Sequence, residues 1–348
     1  MRKQPFCRWD NSLISKIKSG WYSDTYFLRS QEVLRKDGNR NRVLMQVFCK
    51  HRAVLAGTDE VKMLLQNCSL EPRTLKVEIL KDGDEIKPWE TAATIEGEYR
   101  SFAHLETLYL GIFARRTMVA TSVREAVQVA KPKSVFFFAA RFDHFLNQEG
   151  DGYAAFLGGA AGVSTDAGAC YFGGKGVGTI PHALIATYQG DTVSTCAAFD
   201  RHMSRSYKRI ALVDFDNNCV KTSLEVARAL GKNLWGVRLD TAENIRDASI
   251  RKSGKKFFGV CPDLVWNVRK ALDREGFTWV KIMLSGGFNA ERIREFKRLR
   301  VPFDAVGIGS AFFSKRIDFT ADVVKVNDKL CAKVGRQFRP NRRLKKAW

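Results

Sequence analysis

The chain has 348 residues, of which 45% are hydrophobic and 27% are charged. That length suffices for two domains with a large buried core, and the composition excludes disordered, collagen-like and low-complexity proteins. The 58 Lys and Arg residues outnumber the 37 Asp and Glu residues and leave a net charge of +21. Such an excess predicts polyanionic partners, meaning nucleic acid, anionic lipid or multiply phosphorylated metabolites.

The sequence indicates neither a leader peptide nor a membrane span. The first ten residues are basic without a following apolar stretch, and the strongest apolar run, residues 135–138, is far shorter than the ~18 residues of a membrane helix. Eight cysteines stand at least 19 residues apart and form no Cys-x-x-Cys. We therefore expect reduced thiols, a cytoplasmic protein without membrane contact, and no zinc.

The first third of the chain mixes helix and strand patterns. Strands are expected at residues 43–49, 77–80 and 91–95, and helices at residues 58–66 and from residue 102 onward. Thr58 is the expected N-cap of its helix.

After residue 120, short apolar strands alternate with helical stretches. The predicted strands are residues 134–140, 209–215, 234–239, 280–284 and 305–308, and the helices between them include residues 223–230, 263–275 and 290–299. This alternation predicts a parallel sheet covered by helices.

Polar residues follow one predicted strand after another. They are Arg141, His182, Asp214, Asp240, Ser285-Gly286-Gly287 and Gly307-Ile308-Gly309-Ser310. A barrel of parallel strands collects its chemistry on that carboxyl-terminal rim, and so does a doubly wound open sheet. Because no Gly-x-Gly-x-x-Gly follows an early strand, we favour the barrel.

Residues 150–178 contain 10 of the 27 glycines. They form either a mobile loop or backbone that approaches a ligand closely, and we favour the second interpretation. The two later glycine motifs each precede an expected helix, at residues 290–299 and 311–313. Exposed backbone N–H groups and a helix N-terminus are typical of phosphate sites.

Two kinds of side chain near these motifs can carry chemistry. His182 is either a structural histidine or a general base, metal ligand or phosphoryl acceptor. Asp214 and Asp216 end one predicted strand, and Arg238 and Asp240 end the next. Carboxylates there could bind sugar hydroxyls or Mg²⁺ among phosphates, or they could cap helices, Asp240 in particular.

Several ordered motifs together resemble the nicotinate phosphoribosyltransferase family, in its shorter, archaeal-type branch. They are residues 20–27, 44–48, 178–184, 237–240, 285–287 and 307–310, and the similarity continues to residue 336. The resemblance implies an α/β protein of the type II phosphoribosyltransferase class. An N-terminal α/β sandwich-like domain (residues 1–118, joined by the tail 319–348) precedes an irregular, incomplete α/β barrel (residues 119–318).

The family reaction joins nicotinate to phosphoribosyl pyrophosphate and gives nicotinate mononucleotide and pyrophosphate, a step of NAD biosynthesis. The resemblance therefore implies these substrates, Mg²⁺, and ATP as co-substrate through transient phosphorylation of His182. It also implies a homodimer in which the barrel of one chain and the N-terminal domain of the other share each active site.

The resemblance assigns roles to further residues. We expect Phe138 and the partner chain's Tyr26 to sandwich the pyridine ring, beside Arg141, and Arg238 and Asp240 to lie at the ribose. The remaining expected contacts are Thr179 with substrate, Asp214 with a catalytic role, Ser285, Gly286, Gly287, Gly307, Gly309 and Ser310 with the 5-phosphate, and Lys333 with pyrophosphate. We expect no metal site built from protein groups alone.

Departures from the family pattern keep alternatives open. Nicotinamide-using relatives carry an aspartate near residues 176–179 that this chain lacks, and quinolinate enzymes read Glu-Arg-Thr where this chain has Leu105-Glu106-Thr107. The double arginine of the family is here Arg141-Phe142. A nicotinamide or quinolinate phosphoribosyltransferase, and a basic barrel that binds nucleic acid, remain alternatives. The distribution of charge favours a phosphorylated metabolite over nucleic acid. Residues 1–52 and 332–348 carry +15 of the +21, and the resemblance places both segments in the domain that closes over phosphoribosyl pyrophosphate.

Overall fold

The computed structural model describes residues 9–348; residues 1–8, with Cys7, lie outside the described residues. The strands are β1 (Arg42–Cys49), β2 (Ala53–Val54), β3 (Lys76–Ile79), β4 (Glu85–Ile86), β5 (Thr91–Glu98), β6 (Ser134–Phe137), β7 (Gly162–Val163), β8 (Arg209–Leu212), β9 (Leu234–Leu239), β10 (Lys281–Leu284), β11 (Ala305–Ile308), β12 (Phe319–Val326), β13 (Lys329–Leu330) and β14 (Lys345–Lys346). The helices are α1 (Asn11–Lys18), α2 (Thr25–Lys36), α3 (Thr58–Cys68), α4 (Glu106–Ala130), α5 (Gln148–Gly158), α6 (Asp166–Ala169), α7 (His182–Thr187), α8 (Thr192–His202), α9 (Cys219–Leu230), α10 (Pro262–Arg274) and α11 (Ala290–Arg298).

The first sheet is antiparallel and has the strand order β13-β12-β1-β5-β3-β14. The predicted strands in residues 43–49, 77–80 and 91–95 are all present in it as β1, β3 and β5. Its other three strands come from the C-terminal tail, which the local sequence pattern did not indicate.

The N-cap of helix α3 lies one residue before the predicted one. Gly57 is the N-cap, with φ of 96°, and Thr58 is the first helical residue. The Thr58 N–H donates instead to Asp82 Oδ1 at 2.8 Å, so a carboxylate from a distant turn satisfies the free end of the helix. Thr58 as N-cap was therefore wrong, because a tertiary contact supplies the acceptor.

Helix α4 connects two hydrophobic cores. Tyr109 and Phe113 in its first half are buried in the core beneath the antiparallel sheet. Val119 and Val123 in its second half are buried in the core of the parallel sheet. One continuous helix thus belongs to both halves of the molecule.

The second sheet is parallel throughout, in the order β7-β6-β11-β10-β9-β8. Its end strands β7 and β8 do not pair with each other, so the barrel is incomplete, as predicted. Helices α8, α9 and α10 pack in sequence along the sheet, and α11 packs on α4. This arrangement leaves the carboxyl ends of β6, β9, β10 and β11 side by side.

The glycine-rich segment is a packing element over most of its length. Gly150 and Gly152 lie within α5, where a Cβ atom would overlap Arg116 and the backbone of Gly168 respectively. Gly158 lies equally close to α4, with a Cβ position 2.7 Å from the carbonyl oxygen of Ala120. The expectation of close approach to a ligand was therefore wrong for these glycines, because the close approach is to neighbouring helices.

The C-terminal tail lies across the first sheet and is bound to it by hydrogen bonds and an ion pair. The buried amide of Gln46 donates to the Gln337 carbonyl and accepts from the Arg339 N–H, at 3.3 and 2.7 Å. Arg343 pairs with Glu90 at 2.7 Å. Lysines of β13 and β14 lie on the two edge strands of the sheet, where charge opposes edge-to-edge association. In residues 9–348, no helix is long and apolar enough to cross a membrane.

Candidate active site

A cleft of about 680 Å³ opens at the carboxyl ends of the parallel strands. The predicted site residues that line it are Phe138, Arg141, Thr179, Arg238, Asp240, Ser285, Gly286, Gly287, Gly307, Gly309 and Ser310. They come from four neighbouring strands and from the segment before α7. Parallel pairing brings them together, since it places every carboxyl end on the same rim.

The floor of the cleft is apolar. Ile210, Met283 and Ala305 are buried in a small cluster inside the half-barrel, with Phe136 and Trp235 packed against it. An apolar surface beside the rim lowers the local dielectric, which strengthens hydrogen bonds and charge interactions there.

Arg238 is the centre of a hydrogen-bonded network in the cleft. Its Nε donates to Ser285 Oγ at 2.7 Å, one terminal nitrogen donates to Thr179 Oγ1 at 3.0 Å, and the other to Asp240 Oδ2 at 3.1 Å. Ser285 Oγ in turn donates to Asp240 Oδ1 at 2.6 Å. Charge-assisted bonds of this kind fix the geometry of both charged groups.

Phe138 forms a flat apolar wall beside that network. Its ring lies against Gly307, where a Cβ atom would come as close as 2.5 Å to the ring. The guanidinium carbon of Arg238 lies 5.6 Å from the ring centroid. The wall suits a planar ring ligand, because aromatic rings stack favourably on one another.

The two glycine motifs precede different elements. Gly286 and Gly287 have φ of 79° and 68°, and they precede the nine-residue helix α11, whose N-cap Asn289 accepts from the Arg292 N–H at 2.8 Å. Gly309 instead precedes only a single 3₁₀ turn, Ser310–Phe313. The expected helix at residues 311–313 was therefore wrong, and no helix dipole of useful length acts there.

His182 is bonded to Asp214 near the cleft without lining it. His182 Nε2 lies 2.9 Å from Asp214 Oδ1, and the side chains are 45% and 8% exposed respectively. Burial raises the pKa of Asp214, the bond from His182 opposes that rise, and the charge of Asp240 adds to it. A half-exposed imidazole thus contacts a buried carboxylate that also senses the charge of Asp240.

The local context of these residues differs from the prediction in three respects. His182 is the first residue of α7, not the end of a strand. Neither Asp214 nor Asp240 caps a helix, because Asn218 is the N-cap of α9 and residues 241–261, which follow Asp240, contain no α-helix. Asp216 is exposed and does not line the cleft.

Tyr26 and Lys333 lie outside the cleft of their own chain. Tyr26 is 57% exposed on α2, close to the exposed side chains of Trp21 and Tyr22 in the sequence. Lys333 is exposed in the tail, where its carbonyl accepts from the Arg336 N–H at 2.9 Å. Neither position tests the roles expected for them.

Sequence reasoning missed several residues that line the cleft or lie behind its wall. Gln148, Thr165 and Phe142 line it without belonging to any motif. Beneath them, buried Asp151 accepts from Arg115 at 2.5 Å and from Arg116 at 3.0 Å. The only sequence signal was the adjacent arginine pair in an otherwise apolar helix, and its acidic partner lies 35 residues away.

Comparison with known proteins identifies the relationship. The family of the quinolinate phosphoribosyl transferase N-terminal domain matches residues 24–117. The chain is 35% identical to nicotinate-nucleotide pyrophosphorylase from Pyrococcus furiosus, with a TM-score of 0.82 over 96% of this chain and 82% of that one. It is 25% identical to a nicotinate phosphoribosyltransferase of Mycobacterium tuberculosis, over 88% of this chain and 71% of that protein. Human nicotinic acid phosphoribosyltransferase shares the fold, with a TM-score of 0.69 at 17% identity over 89% of this chain and 75% of that one.

Proposed function

The chain belongs to the nicotinate phosphoribosyltransferase family, and from that premise we propose that it joins nicotinate to phosphoribosyl pyrophosphate. The products are nicotinate mononucleotide and pyrophosphate, and hydrolysis of ATP through a phosphorylated His182 drives the reaction. The observation that carries this proposal is the His182–Asp214 pair beside a cleft with two glycine motifs.

The geometry of the pair supports the proposal of phosphoryl transfer to His182. With Nε2 protonated and donating to Asp214, Nδ1 carries the free lone pair. Nδ1 attacks the γ-phosphorus of ATP, the bond between that phosphorus and the β,γ-bridging oxygen breaks, and ADP leaves. The buried carboxylate of Asp214 stabilises the positive imidazolium that results, and water later releases phosphate.

The cleft suits displacement at the ribose C1. The bond from C1 to pyrophosphate breaks while the nicotinate nitrogen forms the new bond, so positive charge develops on the sugar and negative charge on the leaving group. Asp240 stabilises the sugar, Arg238 and the glycine N–H groups bind anionic oxygens, and Phe138 stacks on the base.

Mg²⁺ fits the donor groups at this rim. It is usually bound by one or two carboxylates together with substrate phosphates, and Asp214 and Asp240 are two such carboxylates; burial and the charge of Asp240 both raise the pKa of Asp214. These residues would hold Mg²⁺ with the pyrophosphate, where the ion neutralises the leaving group. In residues 9–348, no group of three or more His, Cys, Asp or Glu side chains forms a metal site by itself.

A second copy of the chain would complete the site. Tyr26 and Lys333 do not line the cleft of their own chain and are exposed on the N-terminal domain and its tail. A homodimer that places them over the partner's cleft supplies the other face of the base sandwich and a cation for pyrophosphate. The exposed aromatic residues Trp21 and Tyr22 support such a contact.

Quinolinate is the second candidate base. The match of residues 24–117 to the quinolinate enzyme domain favours it. ATP coupling discriminates between nicotinate and quinolinate as the base. A transfer that needs no phosphohistidine gives the His182–Asp214 pair no role in the reaction.

The decisive assay supplies the protein with phosphoribosyl pyrophosphate, Mg²⁺ and ATP, with nicotinate, nicotinamide or quinolinate in parallel. We expect mononucleotide from nicotinate, with ATP consumed. His182→Ala abolishes ATP hydrolysis and its stimulation of synthesis while a slow ATP-independent turnover persists; the exposed His202→Ala on α8 is the matched control and changes neither. Equal ATP-driven synthesis by His182→Ala contradicts the phosphohistidine, and absence of product with every base contradicts the activity.

A further inference from the structure

We propose that Ser285 is a positioning residue that fixes Arg238 and Asp240, and that it does not contact the ribose 5-phosphate. The glycine backbone next to it and the Ser310 hydroxyl take the phosphate instead. This inference rests on the proposed function and reverses the role that the resemblance assigns to Ser285.

The Ser285 side chain has no proton to give to a phosphate. The residue is 3% exposed, and its N–H is bonded to the Leu239 carbonyl at 2.9 Å. Its hydroxyl accepts from Arg238 Nε at 2.7 Å, and its proton faces two acceptors, Asp240 Oδ1 at 2.6 Å and the Leu239 carbonyl at 3.1 Å. A hydroxyl carries one proton and phosphate oxygens only accept at neutral pH, so the short bond to Asp240 uses the one donor.

The same two bonds close a ring of three side chains. Arg238 donates to Asp240 Oδ2 at 3.1 Å, and Ser285 joins the other carboxylate oxygen to the guanidinium Nε. Asp240 is therefore held at two points, and Arg238, which also donates to Thr179 Oγ1 at 3.0 Å, is held at three. Without the hydroxyl, Asp240 keeps only its bond to Arg238 among these and can rotate away from the ribose, and Arg238 loses the bond that orients its Nε.

The groups around Ser285 are better placed for an anion. Among residues 9–348, no protein acceptor takes the N–H groups of Gly286 and Gly287, which lie in a left-handed turn at the cleft. The Ser310 side chain is exposed in the same cleft and likewise hydrogen-bonds to no described residue. These N–H and O–H groups can donate to a phosphate, whereas the Ser285 hydroxyl already donates to Asp240.

The test compares Ser285→Ala with Ser310→Ala. We expect Ser285→Ala to lower kcat about 10–100-fold while KM for phosphoribosyl pyrophosphate stays within about 3-fold, because misplacement of reacting groups acts on the chemical step. Ser310→Ala gives the opposite split, with KM raised about 10-fold and kcat nearly unchanged. If Ser285→Ala leaves kcat unchanged, or raises KM as Ser310→Ala does, the positioning role is wrong.

A binding measurement separates this inference from the proposed activity. Calorimetric titration with inorganic phosphate needs neither turnover nor ribose contacts, and we expect affinity within about 3-fold of the natural protein for Ser285→Ala and about 10-fold weaker for Ser310→Ala. Weakening by Ser285→Ala to the same degree overturns the inference even if the enzyme is inactive on every base. Ser285→Cys keeps the side-chain size with a poor hydrogen-bonding group and serves in place of Ser285→Ala if that variant does not unfold cooperatively on heating.

Discussion

The molecule has two six-stranded sheets, and the parallel one gathers polar side chains at the carboxyl ends of its strands. In a parallel sheet every carboxyl end lies on the same rim, so Arg238, Asp240 and Ser285 converge over an apolar floor. In the antiparallel sheet strand directions alternate, and the buried polar residues Gln46 and Thr91 bond to the C-terminal tail instead. Strand direction thus separates the part to which we assign the chemistry from the part that we propose supports it and contacts a second copy.

The largest expected effect comes from breaking the network on the parallel sheet. Arg238→Ala removes the donor to Ser285, Thr179 and Asp240 together, and we expect kcat/KM to fall about 10³-fold. Steady-state assays with phosphoribosyl pyrophosphate check this. The exposed ion pair of Arg228 provides the control, because Arg228→Ala changes activity by less than about 2-fold.

Mixing variants tests whether the antiparallel domain serves the partner's cleft. Tyr26→Ala alone removes one wall of the base sandwich and is expected to cost about 10-fold in kcat/KM. When Tyr26→Ala and Arg238→Ala proteins are unfolded together and refolded, half of the random dimers are mixed and each mixed dimer has one intact site. Activity then rises to about a quarter of the natural value, whereas sites built within one chain give no rise.

A smaller effect is expected where the antiparallel sheet meets the tail. Gln46→Ala leaves the Arg339 N–H and the Gln337 carbonyl without their buried partner, which costs about 1–3 kcal/mol of unfolding free energy. Thermal unfolding measures the loss, and the exposed Gln128→Ala on α4 is the control. Because Lys333 lies in the same tail, KM for phosphoribosyl pyrophosphate rises in Gln46→Ala while kcat changes little; an unchanged melting temperature contradicts the bracing role of Gln46.

The smallest expected effect is a pH dependence in the antiparallel domain. Burial raises the pKa of Glu106 from 4.5 to about 7, with the charges of Asp322 and Asp24 adding to the rise and the bond from Tyr99 opposing it. The folded state therefore disfavours the ionised carboxylate, so this group's contribution to stability is greatest below pH 4.5 and is lost as pH rises to about 7.

Glu106→Gln mimics the protonated form and tests that sign. We expect it to match the natural protein at about pH 5 and to be more stable by about 1–2 kcal/mol at about pH 8. Melting temperatures at the two pH values measure the difference, with the partly exposed Glu225→Gln on α9 as control. Equal stability of Glu106→Gln and the natural protein at the higher pH contradicts a raised pKa for Glu106.

Local sequence patterns predicted most of the parallel sheet. The residues of β9 and β11 agree with their predicted strands to the residue, and Arg238, Asp240 and the two glycine motifs follow from positions at strand ends. Such features are local, since alternation and strand length depend on neighbours in the chain. The contact of His182 with Asp214 was not local, because it joins residues 32 positions apart.

The glycines of α5 show where sequence reasoning fails. A glycine needed for close helix packing and one needed for a ligand look the same in sequence, because in both the side chain is excluded by something brought from elsewhere in the fold. Gly152 is required by the backbone of Gly168, and the pattern alone contained no sign of that neighbour.

The order of residues along the chain was enough to establish the alternation of strands and helices, the motifs at the strand ends and the concentration of positive charge in the two terminal segments. The folded molecule was needed to show what those groups contact. The Ser285 hydroxyl donates to Asp240, His182 is hydrogen-bonded to Asp214, and the basic tail is hydrogen-bonded to the first sheet. The physical reason is that secondary structure depends largely on neighbours in the chain, whereas a hydrogen-bond partner or a steric limit depends on residues that folding brings from far away.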